Sequence, residues 1–279
     1  MTSANDFIKW IKKWAKTNED IRTVILHGSY AQKAKTDELS DVDLMLFTHH
    51  PGQFLDAQEG LQDFAPIWLA NVQQEQDVIN QIIIFEGGLM VDIRIYPLKK
   101  LERIHAKLPV ELEPGYKVLV DKDRQARNLP KSSGKWPLQD KPTPADFQQA
   151  INTFWKDATM VAKYLKRGEL WRAKHYDWQL KQHLMKMMSW HARICRQQTN
   201  FSSHEGKHLH KWVDPETYIG LMSAFGRFYP ADSWRALDET IKHFTRLSSE
   251  VAEVLEIDKH EDLTRKISGW IDTLQSQND

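Results

Sequence analysis

Apolar residues change their spacing part-way along this chain. In the first half they come in short runs. Phe7, Ile8, Ile11, Trp14 and Ala15 recur three and four residues apart, the signature of an amphipathic helix. Ile21 to His27, with Val24, Ile25 and Leu26 inside, reads as a buried strand that leaves through a Gly28-Ser29 turn. A second strand is predicted from Asp41 to Phe47, and a hairpin from Ile82 to Tyr96 across Glu86-Gly87-Gly88. Helices are expected around residues 53–64 and 98–108. A polar stretch rich in Pro, Gly and Ser then intervenes, Asn128 to Lys135 and Lys141 to Pro144.

Beyond that stretch every apolar pattern is helical. Thr143 can cap a helix that has Pro144 at its first position and Asp146 at its third. Phe147, Ile151, Phe154, Trp155, Ala158, Val161, Ala162 and Leu165 continue it until Gly168. Asp214-Pro215-Glu216 starts another helix; Trp234, Leu237, Ile241, Phe244, Val251 and Leu255 mark a long one, and Leu263, Ile267, Trp270 and Leu274 a last one. The expectation is an α+β chain, with a mixed sheet and flanking helices in residues 1–125, a linker in 126–143 and a helical bundle in 144–279.

The chemistry-bearing residues sit at the strand ends. Side chains alternate along a strand, so Asp41 and Asp43 share one face while Val42 and Leu44 take the other. Two carboxylates one strand-step apart repel each other unless a divalent cation lies between them. Mg²⁺ suits such a site because it takes a few carboxylates plus substrate phosphates. The exposed Gly28-Ser29 backbone is suited to cradling those phosphates. In the second arm of the hairpin Asp92 shares a face with Met90, Arg94 and Tyr96, opposite Leu89, Val91, Ile93 and Ile95. A carboxylate in so apolar a strand is costly to bury alone. Its partner is either the cation of Asp41 and Asp43, or Arg94, or water on an open sheet edge.

These residues resemble those of the aminoglycoside 6-adenylyltransferases (streptomycin adenylyltransferases), a family in the nucleotidyltransferase superfamily. The glycine-serine turn at Gly28-Ser29, the paired Asp41 and Asp43 and the third carboxylate at Asp92 carry the likeness. It continues through Val118 to Asp123, Phe154-Trp155, Ala162-Lys163, Ala173-Lys174, Asp177, Leu184 to His191 and Gly206-Lys207. Two positions depart from the family: Tyr30 stands where an arginine is frequent, and Ser40 where a larger polar side chain is expected. The resemblance implies a nucleotidyltransferase-type sheet followed by a substrate-binding bundle. It also implies transfer of AMP from ATP to a hydroxyl of an aminoglycoside, with streptomycin at its 6-position as the leading acceptor. Asp41, Asp43 and Asp92 would be the metal ligands for Mg²⁺, and Gly28 and Ser29 would hold phosphate oxygens. Two alternatives stay open: a nucleotidyltransferase with another acceptor, antibiotic or protein hydroxyl, or a weakly catalytic nucleotide-binding regulator in which Tyr30 marks a lost phosphate contact.

In the helical half, Ala173, Asp177, Leu180, Leu184, Met187, His191 and Ile194 form one stripe. A carboxylate there can grip a polycationic acceptor, so Asp177 is the second candidate, beside Asp92, for general base or acceptor contact; a place on the exposed first turns is the alternative. His191 reads as a hydrogen-bonded core histidine. Lys174 and Lys207 are candidates for neutralising triphosphate charge, or else solvated surface lysines. His204, His208 and His210 lack the spacing and the cysteine company of a zinc site and read as a loop. Trp68 and Trp171, near element ends, are placed to stack on a base or sugar.

Composition narrows the class further. The 279 residues allow two domains, and 38 basic against 38 acidic residues argue against a nucleic-acid partner. No apolar run approaches the ~20 residues of a membrane span, and the N-terminal residues, with Asp6, Lys9, Lys12 and Lys13, lack a signal-peptide core. Cys195 is the single cysteine, so no internal disulfide forms, and burial is its expected fate. A cytoplasmic monomer or weak dimer is the expectation.

Overall fold

The computed structural model describes residues 3–32, 36–56, 60–137 and 141–276. The chain separates into two compact units, the first ending at Pro137.

The first unit opens with α1 (Ala4–Thr17), capped by the Ser3 side chain, which accepts from the Asp6 backbone N–H. Six strands follow: β1 (Ile21–His27), β2 (Val42–Thr48), β3 (Ile67–Glu75), β4 (Val78–Phe85), β5 (Met90–Pro97) and β6 (Lys117–Asp121). They form one sheet in the order β3-β4-β5-β2-β1-β6. β2 and β5 run parallel, and every other neighbouring pair is antiparallel, so the sheet is mixed. The β4–β5 hairpin turns on Gly87 and Gly88, both at positive φ, which glycine adopts without steric cost.

Alternation along the strands builds two cores. Val24, Leu26, Val42, Leu44, Leu46, Val91, Ile93 and Ile95 pack with Phe7, Ile11 and Ala15 of α1. On the opposite face Ile25, Met45 and Phe47 pack against Leu98, Leu101, Ile104, Leu108 and Leu112. Those residues come from α2 (Leu101–Ala106) and the single 3-10 turns on either side of it, Leu98–Lys100 and Val110–Leu112.

Two features of this unit differ from the sequence expectations. Strand β3 was not expected at all. It is an edge strand whose side chains are mostly exposed on both faces, so burial leaves no period-2 pattern to read. The helix expected around residues 53–64 is replaced by short 3-10 turns at Pro51–Phe54 and Leu61–Asp63, and residues 57–59 lie outside the described set. Gly60, at φ 82°, ends any regular helix there.

The second unit is helical among its described residues: α3 (Pro144–Lys166), α4 (Leu170–Ile194), α5 (Leu209–Trp212), α6 (Pro215–Ala224), α7 (Pro230–Leu255) and α8 (Glu261–Ser276). The expected start of α3 is present as a reciprocal cap, with Thr143 Oγ1 accepting from the Asp146 N–H and the Asp146 carboxylate accepting from the Thr143 N–H. Asp214 caps α6 with a single bond, its carboxylate accepting from the Thr217 N–H. The core joins α3, α4 and α7 around Phe154, Trp155, Leu184, Met187, Phe244 and Leu247. No described helix is long and apolar enough to cross a membrane.

Candidate active site

The sheet places three carboxylates on one face by two different devices. Asp41 and Asp43 share it through strand alternation, Asp41 standing immediately before β2. Asp92 joins them through register: in the parallel β2–β5 pair Asp43 aligns with Asp92. Aligned residues on adjacent strands sit roughly 5 Å apart and point the same way. The face is that of Met45 and Phe47, so the carboxylates lie at the end of the smaller core.

Gly28 completes the cluster. It follows β1 at φ 65°, and the N–H groups of Ala31 and Gln32 both donate back to its carbonyl, at 3.3 and 3.2 Å. A Cβ at this position would collide with the Asp43 carboxylate, Oδ2 first. Glycine is therefore demanded twice, by the left-handed backbone and by the close approach of Asp43. Ser29 and Tyr30 continue the turn. The Tyr30 hydroxyl donates to the Asp37 carbonyl at 3.4 Å, and the Ser40 hydroxyl to Asp37 Oδ1 at 2.9 Å, so both departures from the family pattern serve the loop that enters β2.

Among the three carboxylates, Asp92 carries a resolved electrostatic shift. Asp92 Oδ1 is buried and has no hydrogen-bond partner. Burial, aided by the Asp41 charge, raises the Asp92 pKa above the ordinary carboxylate range, while Arg94 opposes the shift. Arg94 does not close the gap, because its guanidinium donates to Glu111 Oε1 at 3.1 Å. A hard oxygen donor set with an orphaned buried oxygen fits Mg²⁺. Among the described residues no three acidic, His or Cys groups stand grouped closely enough to hold a metal ion as they are.

Two neighbours of this cluster escaped sequence reasoning. His27 pairs with Asp43 across β1 and β2, and burial depresses its pKa to about 4, so the imidazole is neutral near pH 7. Glu111 lies nineteen positions beyond Asp92, on the 3-10 turn anchored by Leu112. Only the tertiary fold brings either to the carboxylates.

A model of the streptomycin adenylyltransferase family matches residues 1–274. The chain belongs to that family. By family it is an aminoglycoside nucleotidyltransferase. Among relatives of this adenylyltransferase, the aminoglycoside 6-adenylyltransferase of Bacillus subtilis (strain 168) is 25% identical over 267 residues, 91% of this chain and 92% of that protein. The Campylobacter jejuni protein of the same name is 25% identical over 263 residues, 90% of this chain and 89% of its own. The crystal structure of an aminoglycoside 6-adenyltransferase from Bacillus subtilis superposes with a TM-score of 0.44 at 21% identity, covering 94% of this chain and 96% of that one.

The remaining sequence candidates of this adenylyltransferase belong to its helical unit, apart from Trp68. Asp177 sits on α4 with a cation of its own, the Lys181 ammonium donating to its Oδ1 at 2.5 Å. Lys181 is buried and also donates to Thr240 Oγ1 on α7 at 2.8 Å. Lys174 donates to the Gly226 carbonyl at 2.8 Å, and Lys207 is exposed just before α5. His191 is buried, with Nε2 2.7 Å from Glu250 Oε2. Trp68, on β3, and Trp171, on α4, are 64% and 80% exposed, which leaves both rings open to stacking. His208 and His210 are exposed, and the His204 side chain is outside the described set.

Proposed function

We propose that this protein transfers AMP from ATP to a hydroxyl of an aminoglycoside with the help of Mg²⁺, and that the 6-hydroxyl of streptomycin is its acceptor. The observation that carries the reading is the alignment of Asp43 with Asp92, beside a glycine that must be a glycine. Family membership and relatives named for aminoglycoside 6-adenylylation support the acceptor class.

In this reading Asp41, Asp43 and Asp92 would hold the cation, and Gly28 and Ser29 would hold phosphate oxygens through backbone and hydroxyl hydrogen bonds. The cation, when bound, stabilises charge on the attacking and leaving oxygens of an in-line displacement. The acceptor oxygen bonds to the α-phosphorus as the bond to pyrophosphate breaks, and the hydroxyl proton must pass to a base. Asp92 and Asp177 are the candidate bases, and the match of the Asp177 carboxylate with Lys181 favours Asp92. Lys174 and Lys207 are assigned to triphosphate charge, and Lys174 would first have to release the Gly226 carbonyl.

Incubation with labelled ATP, Mg²⁺ and a panel of aminoglycosides, followed by pyrophosphate release, tests the proposal. Release that depends on streptomycin supports it in full. Release with a different aminoglycoside overturns the choice of acceptor, and none with any aminoglycoside overturns the activity.

A further inference from the structure

Arg94 poses a physical problem. It is the next residue after Asp92 on the same face of β5, two positions along one strand, and arginine is long enough to reach back across that distance. An arginine beside a buried carboxylate ordinarily pairs with it, since the fork of N–H donors fits two carboxylate oxygens. Here Asp92 Oδ1 has no hydrogen-bond partner, and the guanidinium is turned to Glu111 instead. Tyr96 holds it from the other side through a side-chain hydrogen bond, its ring stacked on Phe47 at 5.4 Å.

The Glu111–Arg94 pair is itself a poor source of stability. Its two side chains are 41% and 36% exposed, and exposed ion pairs contribute little. Yet Glu111 is positioned with care. The 3-10 turn Val110–Leu112 that carries it is pinned by Leu112, which is wholly buried against the same sheet face, and by Leu108 before it. The fold therefore devotes a core contact to delivering one carboxylate to one guanidinium.

We propose that Glu111 is a positioning residue that diverts Arg94 from Asp92 and so keeps the third carboxylate open to the divalent cation. The inference rests on the metal reading above and deepens it. The Arg94 charge already acts on Asp92 from where it stands; without Glu111 the guanidinium is free to turn to Asp92 and occupy the orphaned oxygen itself.

The test uses the full-length protein, Mn²⁺ as the probe and an ATP analogue with an uncleavable α–β bridge, with free Mn²⁺ read by electron paramagnetic resonance. Glu111→Ala is expected to weaken Mn²⁺ uptake by about tenfold or more, the scale seen when a group one shell out is removed. Arg94→Met should bind Mn²⁺ at least as tightly as the wild type, and Glu111→Ala/Arg94→Met should return to that level. A purely structural Glu111 would leave the double variant as weak as the single one, and that result overturns the proposal. So does unchanged uptake by Glu111→Ala, or weaker uptake by Arg94→Met, which stands as an independent arm if Glu111→Ala fails to fold. Wild-type uptake that Asp43→Asn does not reduce sinks the metal reading and this inference together, whereas uptake lost with Asp43→Asn but insensitive to Glu111 sinks this inference alone.

Discussion

Two clusters, one in each unit, treat buried charge in opposite ways. In the helical unit several charges that leave water bring an opposite charge with them, although Asp238, half-buried beside Asp272 and Glu239, does not. Lys181 meets Asp177, Lys156 meets Asp157 at 3.0 Å, and Arg246 spans Asp214 and Glu250 at 3.1 and 2.8 Å. Single oxygens of Asp157 and Asp214 lack hydrogen bonds, but each carboxylate has its cation. In the sheet unit the fold gathers like charges. Asp43 is aligned with Asp92, the Asp41 charge acts on Asp92 in the same sense as burial, and Arg94, whose charge opposes them, hydrogen-bonds to Glu111. A matched buried pair is a structural element whose removal in part is costly. A gathered set of like charges is a candidate site for a ligand of opposite charge.

The largest effect expected from this contrast falls on the sheet unit. Asp43→Asn should lower AMP transfer by about three orders of magnitude or more, ~4 kcal/mol of transition-state stabilisation, while circular dichroism and thermal melting stay near wild type. Near-native turnover by a folded Asp43→Asn protein would remove the carboxylate cluster from the mechanism. Gly28→Ala should be almost as damaging, because the added methyl must displace the Asp43 carboxylate and strain the left-handed turn.

In the helical unit the same kind of substitution should act on stability. Asp177→Asn takes the opposite charge from the buried Lys181 ammonium, and is expected to cost about 3 kcal/mol, read from urea unfolding. Adding Lys181→Met should recover most of that loss. If Asp177→Asn instead leaves stability untouched and raises the KM for the acceptor, the carboxylate grips substrate and the contrast between the units fails at that point.

A smaller effect concerns the acceptor. Binding of a polycationic aminoglycoside to an acidic site should weaken several-fold as ionic strength rises through the screening range. Affinity that is flat across salt, measured by calorimetry, would point to a neutral acceptor. The smallest effect is at Cys195, where burial pushes the thiol pKa up to about 11. Less thiolate is then present at pH 8 than for a free thiol, so iodoacetamide should label the folded protein more slowly than the urea-unfolded chain. Equal rates would mean that the C-terminal end of α4 is open to solvent.

Much of this was legible in the amino-acid order, because it follows from rules that act over a few residues. Strand alternation alone places Asp41 with Asp43, and Asp92 with Arg94. Helical spacing and capping chemistry alone place Thr143, Asp146 and Gly168 at the ends of α3. The four-residue step from Asp177 to Lys181 was also there to be read, although it was the lysine's burial that turned a surface-type pair into a structural one. Strand β3 was not legible, since exposure on both faces erases the pattern that marks a strand. Other facts had no local signature at all. That β5 docks parallel to β2, with Asp92 level with Asp43, is a choice of register between segments some fifty positions apart, made by the burial of both apolar faces. That Glu111 reaches Arg94 depends on Leu108 and Leu112 finding the core beneath Met45 and Phe47. The local order supplied the carboxylates and their faces; the packing of distant segments decided which of them meet, and which carboxylate Arg94 bonds.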